Sequence, residues 1–76
     1  MSKLPSIKSR DMLRILKEAG FHEDHRSGSH VIMHNETTGA RVSIPYHGVD
    51  LARGTIHAIL RTSGLTRDVL TELINA

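Results

Sequence analysis

Apolar residues recur at Met12, Ile15, Leu16 and Ala19, the i, i+3, i+4, i+7 spacing that lines one face of a helix. This spacing predicts a helix over residues 9–20, with Ser9 capping its first amides and Gly20 stopping it. Arg10, Arg14 and Lys17 fall on the other side, the usual solvated face. From Phe21 the period changes. Residues 21–26 are polar and read as an edge strand, Ser27-Gly28-Ser29 is a turn signal, and 30–34 carry the β-branched pair Val31-Ile32, so a hairpin is predicted. A second turn cluster over 35–39 leads into Arg41-Val42-Ser43-Ile44, whose alternation buries Val42 and Ile44 on one face before Pro45 ends the strand. Residues 46–53 read as a loop or single turn, after which Ile56, Ile59 and Leu60 restore the helical period before Gly64. Arg53, His57 and Arg61 repeat at i, i+4, i+8 on the other side of that helix. Thr66 caps a last short helix holding Val69, Leu70, Leu73 and Ile74. The predicted class is therefore α+β. A three-stranded antiparallel sheet of this size cannot bury both faces, so the helices cover one and leave the other wet.

Length changes the picture only by setting a limit: 76 residues at 38% hydrophobic content build one core, so residues 1–76 are expected to form a single domain. The absence of cysteine excludes a disulfide scaffold, a thiolate metal site and a cysteine nucleophile, and it suits a reducing compartment such as the cytoplasm. The longest apolar runs, Val31-Ile32-Met33 and Ala58-Ile59-Leu60, fall far short of the roughly 18 residues of a membrane span, so neither an anchor nor a targeting segment is expected. The formal charge is +2, too small by itself to argue for a nucleic-acid partner. Its distribution is more informative. Lys3, Lys8 and Arg10 precede the first acid, and residues 51–67 hold three arginines and no carboxylate. With Phe21 and Tyr46 the sole aromatics, a platform that reads single strands passively by stacking several bases is not expected.

Six histidines give the chain groups that change charge near neutral pH. Gly28-Ser29-His30 sets one imidazole just after a small-residue turn at the mouth of a strand. A histidine there can serve as general base or acid, or can be a hydrogen-bonded surface residue. A metal centre finds little support. His22 and His25, on an unbroken strand, would point to opposite faces, and His30 and His34 would stand roughly 13 Å apart, too far to share one ion. Glu23 and Asp24, adjacent on the same strand, face opposite ways and make a poor acid–base pair. No glycine-rich phosphate loop leads from a strand into a helix, and no serine sits in a nucleophile elbow. What remains is a histidine beside a turn, flanked by Arg26, with a basic helix face and a basic amino-terminal segment elsewhere. That combination suits RNA cleavage. RNA supplies its own nucleophile in the 2′-hydroxyl, so the protein need only take its proton, hold the phosphodiester in line and stabilise the developing charge, with no cofactor and no metal.

In their order and spacing these pieces resemble the HicA-type, or YcfA-like, toxins, small ribonucleases of bacterial toxin–antitoxin modules. The resemblance runs through Ala19-Gly20-Phe21 closing the first helix, Gly28-Ser29-His30, Ile44-Pro45 with His47 shortly after, Gly54-Thr55 opening a helix that continues Ile59-Leu60-Arg61, and Gly64-Leu65-Thr66, and so covers about residues 6–70. It implies a double-stranded-RNA-binding-domain-like fold, His30 as the catalytic histidine, messenger RNA as substrate and a HicB-type antitoxin as partner. Gly28 and Ser29 would present His30, with Arg26, His47 and Arg53 as candidate substrate contacts. The family often carries arginine where His25 stands here, and Arg26, one residue on, would point to the other face of a strand. Duplex binding is not implied. Such domains bridge phosphates with lysines at a helix start, the second helix here has none, and A-form geometry holds the 2′-hydroxyl away from in-line attack, so flexible single strands are the expected target.

Two competing readings make different predictions. A non-catalytic RNA-binding module would dock phosphates on the same basic residues and show salt-sensitive binding without cleavage. A pure protein-interaction domain would use the Arg53, His57 and Arg61 stripe to meet an acidic partner and would have no RNA affinity.

Overall fold

The computed structural model describes residues 6–46, 48 and 50–75. Its elements are α1 (Ser9–Glu18), β1 (His22–Ser27), β2 (His30–His34), β3 (Arg41–Pro45), α2 (Arg53–Ser63) and α3 (Arg67–Ile74). The strands form one antiparallel sheet in the order β1-β2-β3. Alternation decides which face is covered. Val31 and Met33 of β2 and Val42 and Ile44 of β3 are buried, and they share one hydrophobic cluster with Met12, Ile15 and Leu16 of α1, Ile56, Ile59 and Leu60 of α2, and Leu70 of α3. His30, Ile32, His34, Arg41 and Ser43 alternate with them and take the opposite, open face. Helices on one side and a wet face on the other are thus observed, as is the α-β-β-β-α order with its short last helix. Among the described residues no helix is long and apolar enough to cross a membrane.

The helix ends follow local chemistry. Gly20 takes φ +100°, and the amides of Gly20 and Phe21 donate to the carbonyls of Lys17 and Leu16, closing α1 in a Schellman motif that carries Phe21 into the core. Thr66 Oγ1 accepts from the Val69 amide at 3.1 Å and starts α3 as expected. Ser9 departs from expectation. Lys8 holds the N-cap position without a side-chain cap, and Ser9, the first helical residue, is buried with its hydroxyl donating to the Pro45 carbonyl. A residue spaced like a cap is instead a tie between α1 and the end of β3, because it faces the sheet and a buried hydroxyl needs a partner.

Strand β1 holds a second departure. Its pairing with β2 slips between Glu23 and His25, so His22 opposes His34 while His25 opposes Ile32. One extra residue in the strand reverses the alternation beyond it. His22 and His25 therefore share the open face, contrary to the expectation for an unbroken strand. Glu23 and Asp24 do face opposite ways. Glu23, opposite Met33, lies on the helix side with Arg26, while Asp24 meets Arg41 on the open side.

Candidate active site

The turn between β1 and β2 has two central residues, Gly28 and Ser29, joining the cross-strand pair Ser27 and His30. Gly28 has φ +60° and Ser29 a negative φ, the signs of a type II′ turn, which suits the twist of a tight hairpin and calls for glycine in its first central position. An added Cβ at Gly28 would meet nothing within 4 Å, so the backbone angle rather than lack of space selects glycine here. The Tyr46 amide donates to the Ser29 carbonyl at 2.7 Å, pinning the turn to the chain just beyond β3. His30 opens β2 from this fixed frame. It is exposed, stands between Ser27 and Pro45 on the open face, and among the described residues no hydrogen bond or ion pair occupies its ring. An accessible imidazole held at the start of a paired hairpin strand is suited to moving a proton on a bound substrate.

The other sequence candidates fall in different places. Arg26 opposes Val31 and so points to the helix side, away from the His30 ring. Its Nε lies 3.2 Å from Glu23 Oε2, and that carboxylate lifts the guanidinium above its ordinary value. Its Cζ stands 5.1 Å from the centroid of the Tyr46 ring. Arg53 begins α2 and is exposed, as are His57 and Arg61 further along the same helix, and no hydrogen bond or ion pair among the described residues joins them to His30. His47 lies outside the described residues.

The bulge produces one cluster that strand periodicity does not anticipate. The ligand atoms of His22, Asp24 and His34 lie within 4.8 Å of one another, and the two rings meet edge-on with centroids 5.5 Å apart. Two imidazole nitrogens and a carboxylate suit a borderline divalent ion in principle. Asp24 is already engaged. His25 Nδ1 lies 2.6 Å from its Oδ2 and Arg41 donates to the same oxygen at 3.2 Å, and these two neighbours, His25 first, hold the Asp24 carboxyl below its ordinary value. The cluster also sits at the far end of β2 from His30, roughly 13 Å along the strand. It therefore stands apart from the His30 end of the sheet.

A small α+β fold with an exposed histidine on a glycine turn, and with cationic side chains along its first helix, carries the groups that cleavage of an RNA phosphodiester calls for. The comparison with protein families is more specific. A model described as the HicA toxin of bacterial toxin–antitoxin systems matches residues 9–65, and the chain belongs to that family. Membership agrees with endoribonuclease activity and with the histidine-bearing sheet. Comparison with curated proteins gives no match.

Proposed function

We propose that this chain cleaves messenger RNA at single-stranded sites, in the cytoplasm, with His30 as its catalytic histidine and no metal, and that a HicB-type antitoxin holds it in check. The observation that carries the reading is the exposed His30 ring, with no hydrogen-bond or ion-pair partner among the described residues, on a type II′ hairpin in a chain of the HicA toxin family. His30 takes the proton of a 2′-hydroxyl, or gives one to the departing oxygen. The 2′-oxygen attacks phosphorus, the bond from phosphorus to the 5′-oxygen breaks, and that oxygen leaves protonated. The products are a 2′,3′-cyclic phosphate and a 5′-hydroxyl. Gly28 and Ser29 hold the histidine, and Arg26, Arg53 and His47 are the candidate contacts to substrate.

The test is cleavage of an unstructured RNA by chelator-treated protein, with the product ends identified. The native chain is expected to give cyclic phosphate and 5′-hydroxyl ends, and His30→Ala to lose at least about a hundredfold in rate. Cutting retained by His30→Ala overturns the assignment. Salt-sensitive RNA binding with no cutting by the native chain leaves a binding module instead. Growth arrest on expression, relieved by co-expression of an adjoining antitoxin, tests the partner.

A further inference from the structure

Tyr46 is the one large hydrophobic residue exposed among those described, at 39% of its surface. It lies where β3 gives way to the following loop, and two adjoining cavities share it as a wall. One, of about 320 Å³, is lined by Lys8, Arg10, Tyr46 and Gly48. The other, of about 440 Å³, runs between α1 and the helix side of β1, where Arg10, Arg14, Lys17 and Arg26 contribute to its walls together with Glu18 and Glu23, which pair with Arg14 and Arg26. Arg26 borders the larger cavity alone and stacks on Tyr46 from there. The smaller one also has Tyr46 as a wall, and among the described residues Arg26 is absent from its lining while Lys8 and Arg10 supply its cations.

These cations are loosely held. Lys8 reaches Asp50 and Arg10 reaches Asp11 at 3.9 Å each, both between exposed side chains. Such pairs contribute little and exchange readily for a phosphate. An aromatic face beside exchangeable cations is the arrangement that binds one base of a single strand together with its backbone. The composition argues against a platform of several rings, yet one ring is enough for one base.

His30 pairs with Pro45, the residue before Tyr46, and the Tyr46 amide bonds to Ser29, the residue before His30. Pro45 and His30 share the open face, whereas Tyr46 turns to the helix side, where Arg26 stands over its ring and Arg10 lines the same cavity. A strand passing around this end of the sheet, from the open face to the helix side, would place a phosphodiester at His30 and the base of a neighbouring nucleotide against Tyr46.

We propose that the cleft formed by Tyr46, Lys8 and Arg10 is a nucleobase subsite, in which one unpaired base next to the scissile phosphate stacks on Tyr46 while Lys8 and Arg10 hold the adjoining phosphate. This rests on the RNA-cleaving reading and adds to it a positioning site outside the catalytic histidine. The subsite takes any base, because every base offers a π face.

The experiment measures affinity for short single-stranded RNAs made uncleavable by 2′-O-methylation, either complete or with one abasic nucleotide moved along the strand. Tyr46→Ala is expected to weaken binding of the complete RNA about 5- to 100-fold, and Tyr46→Phe to stay near the native value. The native chain is expected to lose a similar factor at one abasic position, and Tyr46→Ala to lose nothing further there. Equal affinities for Tyr46→Ala and the native chain overturn the subsite, as do losses by Tyr46→Ala that are the same with and without the base. A Tyr46→Ala defect confined to antitoxin binding also overturns it. A native chain that cuts RNA with these insensitive affinities loses the subsite alone, while one that neither binds nor cuts RNA loses the parent reading as well. A thermal melt of Tyr46→Ala matching the native chain excludes loss of fold as the cause.

Discussion

At the scale of single residues, Ser9 shows how one buried hydroxyl links the first helix to the end of the sheet that carries His30. It is 1% exposed, and its partner is the carbonyl of Pro45, which pairs across the sheet with His30. Ser9→Ala would leave that carbonyl without its donor in an environment that water reaches poorly. The expected cost is about 1–3 kcal/mol of folding stability, read by urea denaturation. Sequence spacing identified the residue as important and misassigned its role. The cap position and the first helical position differ by one residue, and only the facing sheet decides which way the hydroxyl turns. Gly28 was legible for the opposite reason. A two-residue turn with a positive φ is a local demand that names glycine by itself.

At the scale of elements, the bulge in β1 sets the charge pattern of the open face. Because Asp24 is carried to that side, its carboxylate sits between His25 and Arg41, and both lower its proton affinity. The sign follows from linkage. A carboxyl depressed in the folded state contributes stability that is whole above its unfolded value, near the ordinary 3.8, and that fades as pH falls below this towards the lowered native value. Asp24→Asn removes the titrating group. The stability gap between the native chain and Asp24→Asn should therefore narrow as pH falls through and below 3.8, measured by denaturation at a series of acid pH values. The effect should be small, since the pair is exposed and screened. No glycine or proline marks this bulge in Glu23-Asp24-His25, and a uniformly polar strand offers no alternation from which to read a register slip. The pairing of His22 with His34 was hidden for the same reason.

At the scale of the whole molecule, a net charge of +2 understates how the cations are arranged. Lys8 and Arg10 meet at the Tyr46 cleft, and Arg14 and Lys17 continue along the same helix. RNA binding should therefore weaken with salt. For single strands, the logarithm of affinity falls by about 0.7 per decade of salt for each phosphate neutralised, so Arg10→Ala should flatten the measured slope by about that amount. An unchanged slope would place the phosphate contacts elsewhere, with the α2 stripe of Arg53, His57 and Arg61 as the other candidate.

The sequence alone determined the order of helices and strands, the repeating apolar positions of α1, β3 and α2 that line the core, the turn before His30 and the open face opposite the helices. These depend on local preference and on which positions repeat with a period of two or 3.6, and both are written along the chain. Tertiary structure decided the bonding of Ser9, the slip in β1, the joining of His22, Asp24 and His34, the stacking of Arg26 on Tyr46 and the cavity that Tyr46 shares with Arg10. Each of these depends on which residues of distant segments come to lie side by side, and packing against a partner strand or helix sets that.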